Sequence, residues 1–179
     1  MRREIRIAGF GGQGVVLAGY LLGKAYSLYQ GLEAVMTQAY GPEARGGASS
    51  ANIVVADREI AYPFIQRADV LIALSQEGYT RFREETVPDA TVIIDTGLVQ
   101  PDAGDQAQGI PATEIAEGLG HRIVANVVML GYFCGTTGLV EREALEEAIR
   151  TTVRPRTLPL NLEAVEAGFA SARPSERAG

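Results

Sequence analysis

Two glycine-rich segments carry the residues of this chain whose types and spacing suit ligand chemistry. The first, GFGGQG at residues 9–14, sets Gly9, Gly11 and Gly14 in G-x-G-x-x-G spacing between an apolar run and a helical one. Glycine permits a tight turn and lets a phosphate approach the backbone, while the following helix offers N–H donors and a partial positive charge. Gly11, Gly12, Gln13 and Gly14 are therefore the first candidates for contact with a phosphate-bearing ligand or a partner chain. Backbone N–H groups do that work, with the Gln13 side chain as a supporting hydrogen bond. The same glycines also serve close strand–helix packing alone, and the pattern by itself does not choose. A dinucleotide site further requires an acid ~20 residues on, at the end of the second strand, to hold ribose hydroxyls. That strand ends in Thr37 and Gln38, with Glu33 at its start and no arginine before Arg45. The loop suits an anion without being tuned to a dinucleotide.

The second segment, TQAYGPEARGGASSANIVV, spans residues 37–55. Pro42 fixes its own φ and biases Gly41 away from the helical region, and Gly46 and Gly47 permit sharp geometry. Arg45, held on such a loop, suits a carboxylate or phosphate; a surface pair with Glu43 is the plainer reading. Thr37, Gln38, Tyr40, Gly41, Glu43, Arg45, Gly46 and Gly47 form the second candidate group. Other polar positions have simpler roles. Ser75, Gln76 and Glu77 follow a strand and cap a helix, Tyr62 and Tyr79 fill packing or interface positions, and His121 has no triad neighbours.

Composition removes several functions. The chain has 179 residues, 46% hydrophobic and 21% charged, as a globular domain does. Sixteen basic and 22 acidic residues give a net charge of −6, unlike the basic footprint of a nucleic-acid binder. Cys134 is the sole cysteine and His121 the sole histidine, too few for an iron–sulfur cluster or a structural zinc. Cys134 sits among apolar residues and reads as a buried small hydrophobe. Lys24 is the only lysine, and no P-loop surrounds it. No signal peptide or membrane-spanning run is present in the sequence, which points to the cytoplasm and to no membrane partner.

The elements that must position the two loops follow from periodicity. Strands are expected over residues 5–9, 32–38, 51–57, 68–75 and 90–95, with a short one near 106–110. Helices are expected over 15–30, 76–85, 112–120, from Asn126 as N-cap, over 141–152, and from Asn161 as N-cap. Glu77 and Arg81 are spaced for an i,i+4 pair. Continuous apolar strands alternating with helices predict an α/β, Rossmann-like, open and mainly parallel sheet covered on both faces. A single domain is expected over residues 1–172, with a flexible tail at 173–179.

With these motifs in place, the sequence resembles a known family. RIAGFGGQGVVLAGYLLGKA, TQAYGPEARGGASSANIVVAD, EIAYPFIQRADVLIALSQEGY and ATVIIDTGLV together resemble the gamma subunits of 2-oxoacid:ferredoxin oxidoreductases, best the 2-oxoglutarate type, over residues 3–150. Pyruvate-type gamma chains carry a His and an Arg in the first loop and an FPSFGPERRGAPV-like second loop, where this chain has Ala8, Phe10 and AYGPEARGGASS. Small subunits of indolepyruvate oxidoreductases share the first loop. They and the pyruvate type stand as alternatives, as does an independent nucleotide-binding module. The resemblance implies a complex that converts 2-oxoglutarate, coenzyme A and oxidised ferredoxin to succinyl-CoA, carbon dioxide and reduced ferredoxin. It places thiamine diphosphate, Mg²⁺ and iron–sulfur clusters in partner chains, with alpha and beta subunits and ferredoxin as partners. This chain then supports coenzyme A access and subunit packing rather than redox chemistry. The second loop is expected at the alpha–gamma junction near the active-site entrance, with Arg45 facing coenzyme A phosphates, the distal carboxylate of 2-oxoglutarate, or an intersubunit salt bridge.

Overall fold

A computed structural model describes residues 1–39 and 47–172 of the chain. Eleven of the named elements alternate as expected: β1 (Arg2–Gly9), α1 (Val15–Lys24), β2 (Glu33–Ala39), β3 (Ser49–Ala56), β4 (Ala68–Ala73), α2 (Gln76–Phe82), β5 (Thr86–Asp95), β6 (Gln108–Ile110), α3 (Ala112–Leu119), α4 (Ala125–Thr137) and α5 (Arg142–Arg150). A last helix, α6, covers Leu158–Ala170. The six strands form one sheet in the order β2-β3-β1-β4-β5-β6. β1, β4, β5 and β6 run parallel, while β3 is antiparallel to both β1 and β2. The sheet is thus open and mainly parallel, with one reversed strand that makes β2–β3 a hairpin rather than a crossover unit.

Strand alternation sorts the side chains into two layers. Ile5 and Ile7 of β1, with Ile53, Val55, Val70, Ile72 and Ile93, face Leu21, Leu22 and Tyr26 of the first helical segment and Val127 and Val128 of α4. Ala8, Leu71, Ala73, Val92 and Ile94 face Tyr79, Phe82 and Val99 on the other side. α4 is apolar all round because it is covered twice, by the sheet and by α6. Gly168 of α6 makes the second contact, since a Cβ there would stand 1.8 Å from the Val128 carbonyl oxygen. Cys134 lies in this buried layer, as expected. Burial pushes its thiol up to about 11, so it stays protonated.

The expected 15–30 helix divides. α1 passes into a π-helical segment at Ala25–Tyr29, closed by Gln30 N–H to the Ala25 carbonyl, and Gly31 follows at φ 67°. Lys24 Nζ donates to the Thr151 carbonyl and the Thr152 hydroxyl.

Three local expectations are corrected. Asn126 does not cap α4; it lies inside the first turn, and its side chain is used elsewhere, as shown below. Asn161 does not cap α6, which already begins at Leu158; its Nδ2 donates back to the Thr157 carbonyl. Arg81 pairs with Glu85 rather than Glu77, because Glu85 is also held by Arg6. Arg6 itself is buried in the sheet, its Nε donating to Asn52 Oδ1 at 2.9 Å and its guanidinium lying 4.5 Å from the Phe82 ring centroid. Three partners explain how a charge survives there. Residues 173–179, the expected tail, lie outside the described residues.

Candidate functional site

The carboxyl ends of β1, β4 and β5 open onto a cavity of about 660 Å³. This is where ligands meet open α/β sheets. Its walls come from the glycine loop, the β4–α2 turn, the end of β5 and the turn before α4.

The glycine loop builds the first wall. Gly12 and Gly14 sit at φ 89° and 71°, which glycine alone adopts freely. Gln13 braces the loop at both ends of its amide: Oε1 accepts from Phe10 N–H at 2.7 Å, and Nε2 donates to the Leu74 carbonyl at 2.8 Å. The loop is therefore tied to the end of β4, and the Gln13 side chain is spent on that support. Among the described residues, no hydrogen-bond partner is found for Gly11 or Gly12, and both line the cavity. Gly14 is the N-cap residue of α1, and its carbonyl accepts from Ala18 N–H at 2.9 Å. The Asn126 Nδ2 donates to the same carbonyl at 3.0 Å, while Asn126 Oδ1 takes the Val127 N–H.

The other walls are held in the same way. The Ser75 hydroxyl accepts from Gly78 N–H at 3.0 Å and caps α2, the structural role expected of it. Asp95, 1% exposed, accepts from Gly97 N–H, Thr113 N–H and the Thr113 hydroxyl, which joins β5 to the start of α3. His121 Nδ1 accepts from Ile123 N–H at 3.1 Å and caps the short 3₁₀ turn Arg122–Val124. That hydrogen bond places the proton of the neutral ring on Nε2. Leu98 and Ile123, 41% and 59% exposed, form an apolar rim. Arg122 lines the same cavity and makes no ion pair among the described residues. Here the sequence reading missed Asp95, Thr113, His121 and Arg122. Asp95 carried a signal, since it ends an apolar strand just before Thr96 and Gly97; the other three are assembled only by tertiary structure.

The polar groups of the lining are largely engaged in holding the walls together. The Ser75 hydroxyl and His121 Nδ1 are both engaged by backbone amides, and no nucleophile–base hydrogen bond is found among the described lining residues. No group of three or more His, Cys, Asp or Glu able to hold a metal exists among the described residues. What the cavity offers is backbone donors, one unpaired guanidinium and an apolar mouth, a set suited to a phosphorylated ligand with an apolar portion.

The first candidate group is thus assembled at one site: Gly11, Gly12 and Gln13 line the cavity and Gly14 supports it from below. The second group is placed differently. Thr37 and Gln38 lie on β2, two strands from β1, and neither lines the cavity. Their strand nevertheless ends level with the glycine loop, since Ala39 pairs with Ser50 and Ser50 with Ala8. The Ser49 hydroxyl donates to the Gly9 carbonyl at 3.1 Å, and Gly47 is half-buried just before it. Tyr40, Gly41, Glu43, Arg45 and Gly46 lie outside the described residues. Glu33 stands at the opposite end of β2, opposite Ala56, so among the described residues no acid occupies the ribose-binding position of a dinucleotide site. Tyr79 is buried, as expected of a packing residue, whereas Tyr62 is exposed and stacks edge-on against Phe64.

Comparison with known proteins agrees with this fold. The family model described as pyruvate ferredoxin/flavodoxin oxidoreductase matches residues 4–171. The 2-oxoglutarate synthase subunit KorC of Methanothermobacter marburgensis is 48% identical over 177 residues, covering 94% of this chain and 95% of KorC. The ketoisovalerate oxidoreductase subunit VorA of Methanothermobacter thermautotrophicus is 37% identical over 175 residues, covering 95% of this chain but 36% of VorA. Among solved structures, the gamma subunit of a keto/oxoacid ferredoxin oxidoreductase from Geobacter sulfurreducens superposes with a TM-score of 0.87 at 35% identity, covering 95% of each chain.

Proposed function

The chain belongs to the pyruvate ferredoxin/flavodoxin oxidoreductase family, and we propose that it is the gamma subunit of a 2-oxoglutarate:ferredoxin oxidoreductase that helps admit and hold coenzyme A. The observation that carries the reading is the glycine-walled cavity, with unpartnered Gly11 and Gly12, in a chain nearly half identical to a 2-oxoglutarate synthase subunit. The complex cleaves the bond between C1 and C2 of 2-oxoglutarate, releases carbon dioxide, joins the succinyl group to the coenzyme A sulfur and passes two electrons to ferredoxin. Thiamine diphosphate, bound with Mg²⁺ in the alpha and beta subunits, supplies carbanion stabilisation for the decarboxylation. The residues here fit neither that group nor a cluster: Cys134 is alone and buried, and several thiolates are needed.

The work of this chain is to bind and orient. Backbone N–H groups of Gly11 and Gly12 meet phosphate oxygens at the α1 N-terminus. Arg122 adds a cation, and Leu98 and Ile123 take apolar surface of the ligand. Thr37, Gln38 and Gly47 lie at the alpha–gamma junction, and Arg45 is assigned a carboxylate or phosphate as its partner. The 36% share of VorA supports a close partner, because in VorA the homologous segment is part of a chain nearly three times as long. No described helix is long and apolar enough to cross a membrane, and the cytoplasm is the proposed compartment.

Reconstitution tests the proposal. Alpha and beta subunits, with and without this chain, are assayed for succinyl-CoA formation; omission should abolish or severely reduce it, and a full rate without the chain would refute the role. In the assembled complex, Arg122→Ala should raise the KM for coenzyme A about tenfold, as loss of one charge-assisted contact does. An unchanged KM would remove Arg122 from the site.

A further inference from the structure

We propose that Asn126 is a positioning residue for the phosphate-binding loop, and this inference rests on the coenzyme A reading above. The Asn126 side chain, 3% exposed, crosses from the first turn of α4 to the N-terminus of α1, 112 residues away in sequence. Its Nδ2 occupies the space that a Cβ on Gly14 would take, 2.4 Å from that position. Glycine at 14 and asparagine at 126 therefore fit as one unit.

The consequence follows from peptide geometry. The Gly14 carbonyl accepts from Ala18 N–H at 2.9 Å and from Asn126 Nδ2 at 3.0 Å. Two donors use both lone pairs of that oxygen and fix the plane of the Gly14–Val15 peptide. A trans peptide sets its N–H opposite its C=O. Fixing the Gly14 carbonyl toward the helix body thus fixes the Val15 N–H toward the helix N-terminus, where first-turn donors meet an anion. Asn126 also follows directly on Arg122–Val124 and Ala125, which form the wall facing the glycine loop. One side chain therefore sets both the aim of a donor and the gap between two walls. Gln13 does the corresponding work toward β4, but within the loop itself.

The test uses the assembled complex with Asn126→Ala and with Asn126→Asp. The Asp variant keeps an acceptor for Val127 N–H and the shape of the side chain, and replaces the donor to Gly14 by a carboxylate oxygen. Three quantities are measured: the KM for coenzyme A, kcat, and amide hydrogen exchange of a peptide covering residues 10–17. Both variants should raise the KM at least fivefold with kcat within twofold, and speed exchange in that peptide at least tenfold. If Asn126→Ala fails to assemble, Asn126→Asp decides. Unchanged exchange, whatever the KM, overturns the positioning role and leaves the coenzyme A reading to its own test with Arg122→Ala. Faster exchange with an unchanged KM shows a held loop that coenzyme A does not use, which overturns the binding reading itself.

Discussion

Replacing Asp105 by Asn should loosen one wall of the cavity and do so in a pH-dependent way. Asp105 accepts from Arg83 Nε at 2.6 Å, Arg83 Nη2 at 2.7 Å and the Tyr79 hydroxyl at 2.5 Å. Its carboxylate is only 8% exposed. The Arg83 guanidinium, helped by Tyr79 and opposed by burial, holds its carboxyl down from 3.8 to about 2. Burial and the same carboxylate push the Tyr79 hydroxyl up. The cluster closes the segment between β5 and β6 onto α2, because Asp102 N–H also donates to Tyr79 and Gln100 N–H to Gln76. That segment carries Leu98 of the cavity rim and buried Val99. A carboxyl held at about 2 rather than 3.8 contributes about 2 kcal/mol of stability at neutral pH. The sign is fixed by the lowered value: the contribution is complete above ordinary carboxylate titration and is lost as pH falls from about 4 toward 2. Urea unfolding of the wild type and Asp105→Asn at pH 7 should therefore differ by about 2 kcal/mol, or about 4–8 °C in Tm for a chain of this size. By pH 3 the gap should have roughly halved. A gap that stays constant from pH 7 to pH 3 would show that the carboxylate charge is not its source. No gap at pH 7 would show that the clamp holds nothing.

Three further outcomes follow from other features. Gly14→Ala should destabilise the chain by about 1–3 kcal/mol, through its positive φ and the collision with Asn126, whereas Gly11→Ala, with open space at its Cβ, should change stability by less than about 0.5 kcal/mol; thermal melts of the pair separate them. Arg6→Met should cost more than Glu85→Gln in urea unfolding, because Arg6 also holds Asn52 and Phe82 while Glu85 is partly solvated; equal losses would reduce the cluster to one ion pair. Cys134 should resist thiol-specific labelling at pH 8 in the native chain and react at once in urea, since its thiol is buried and pushed up to about 11; rapid native labelling would contradict its burial.

The sequence was readable where a residue type answers to its own backbone. The glycines of residues 9–14 announced a turn because positive φ is cheap for glycine, and Ser75 announced a cap because its hydroxyl suits an exposed N–H. Strand direction was not readable in the same way. ANIVVAD is a buried apolar run whichever way it points, and the long polar loop before it is compatible with a hairpin or a crossover, so the reversal of β3 emerged only from pairing. Asn126 and Asn161 misled for a shared reason. Each is a polar residue ahead of an apolar run, which favours a cap, yet the helices begin earlier, at Ala125 and Leu158, and each amide donates to another carbonyl, across the fold for Asn126 and one turn back for Asn161. Arg122 carried no local signal, since its value depends on the turn it shares with His121 and on walls drawn from elsewhere.

The β2–β3 hairpin also has a consequence for the stretch between its strands. Ala39 and Ser50 face each other across adjacent strands, and Ser50 in turn faces Ala8, so the intervening stretch is anchored on a fixed base beside the glycine turn. The register of the sheet beneath that stretch is set by the pairing of β3 with β1 on one side and β2 on the other, and so by residues outside it.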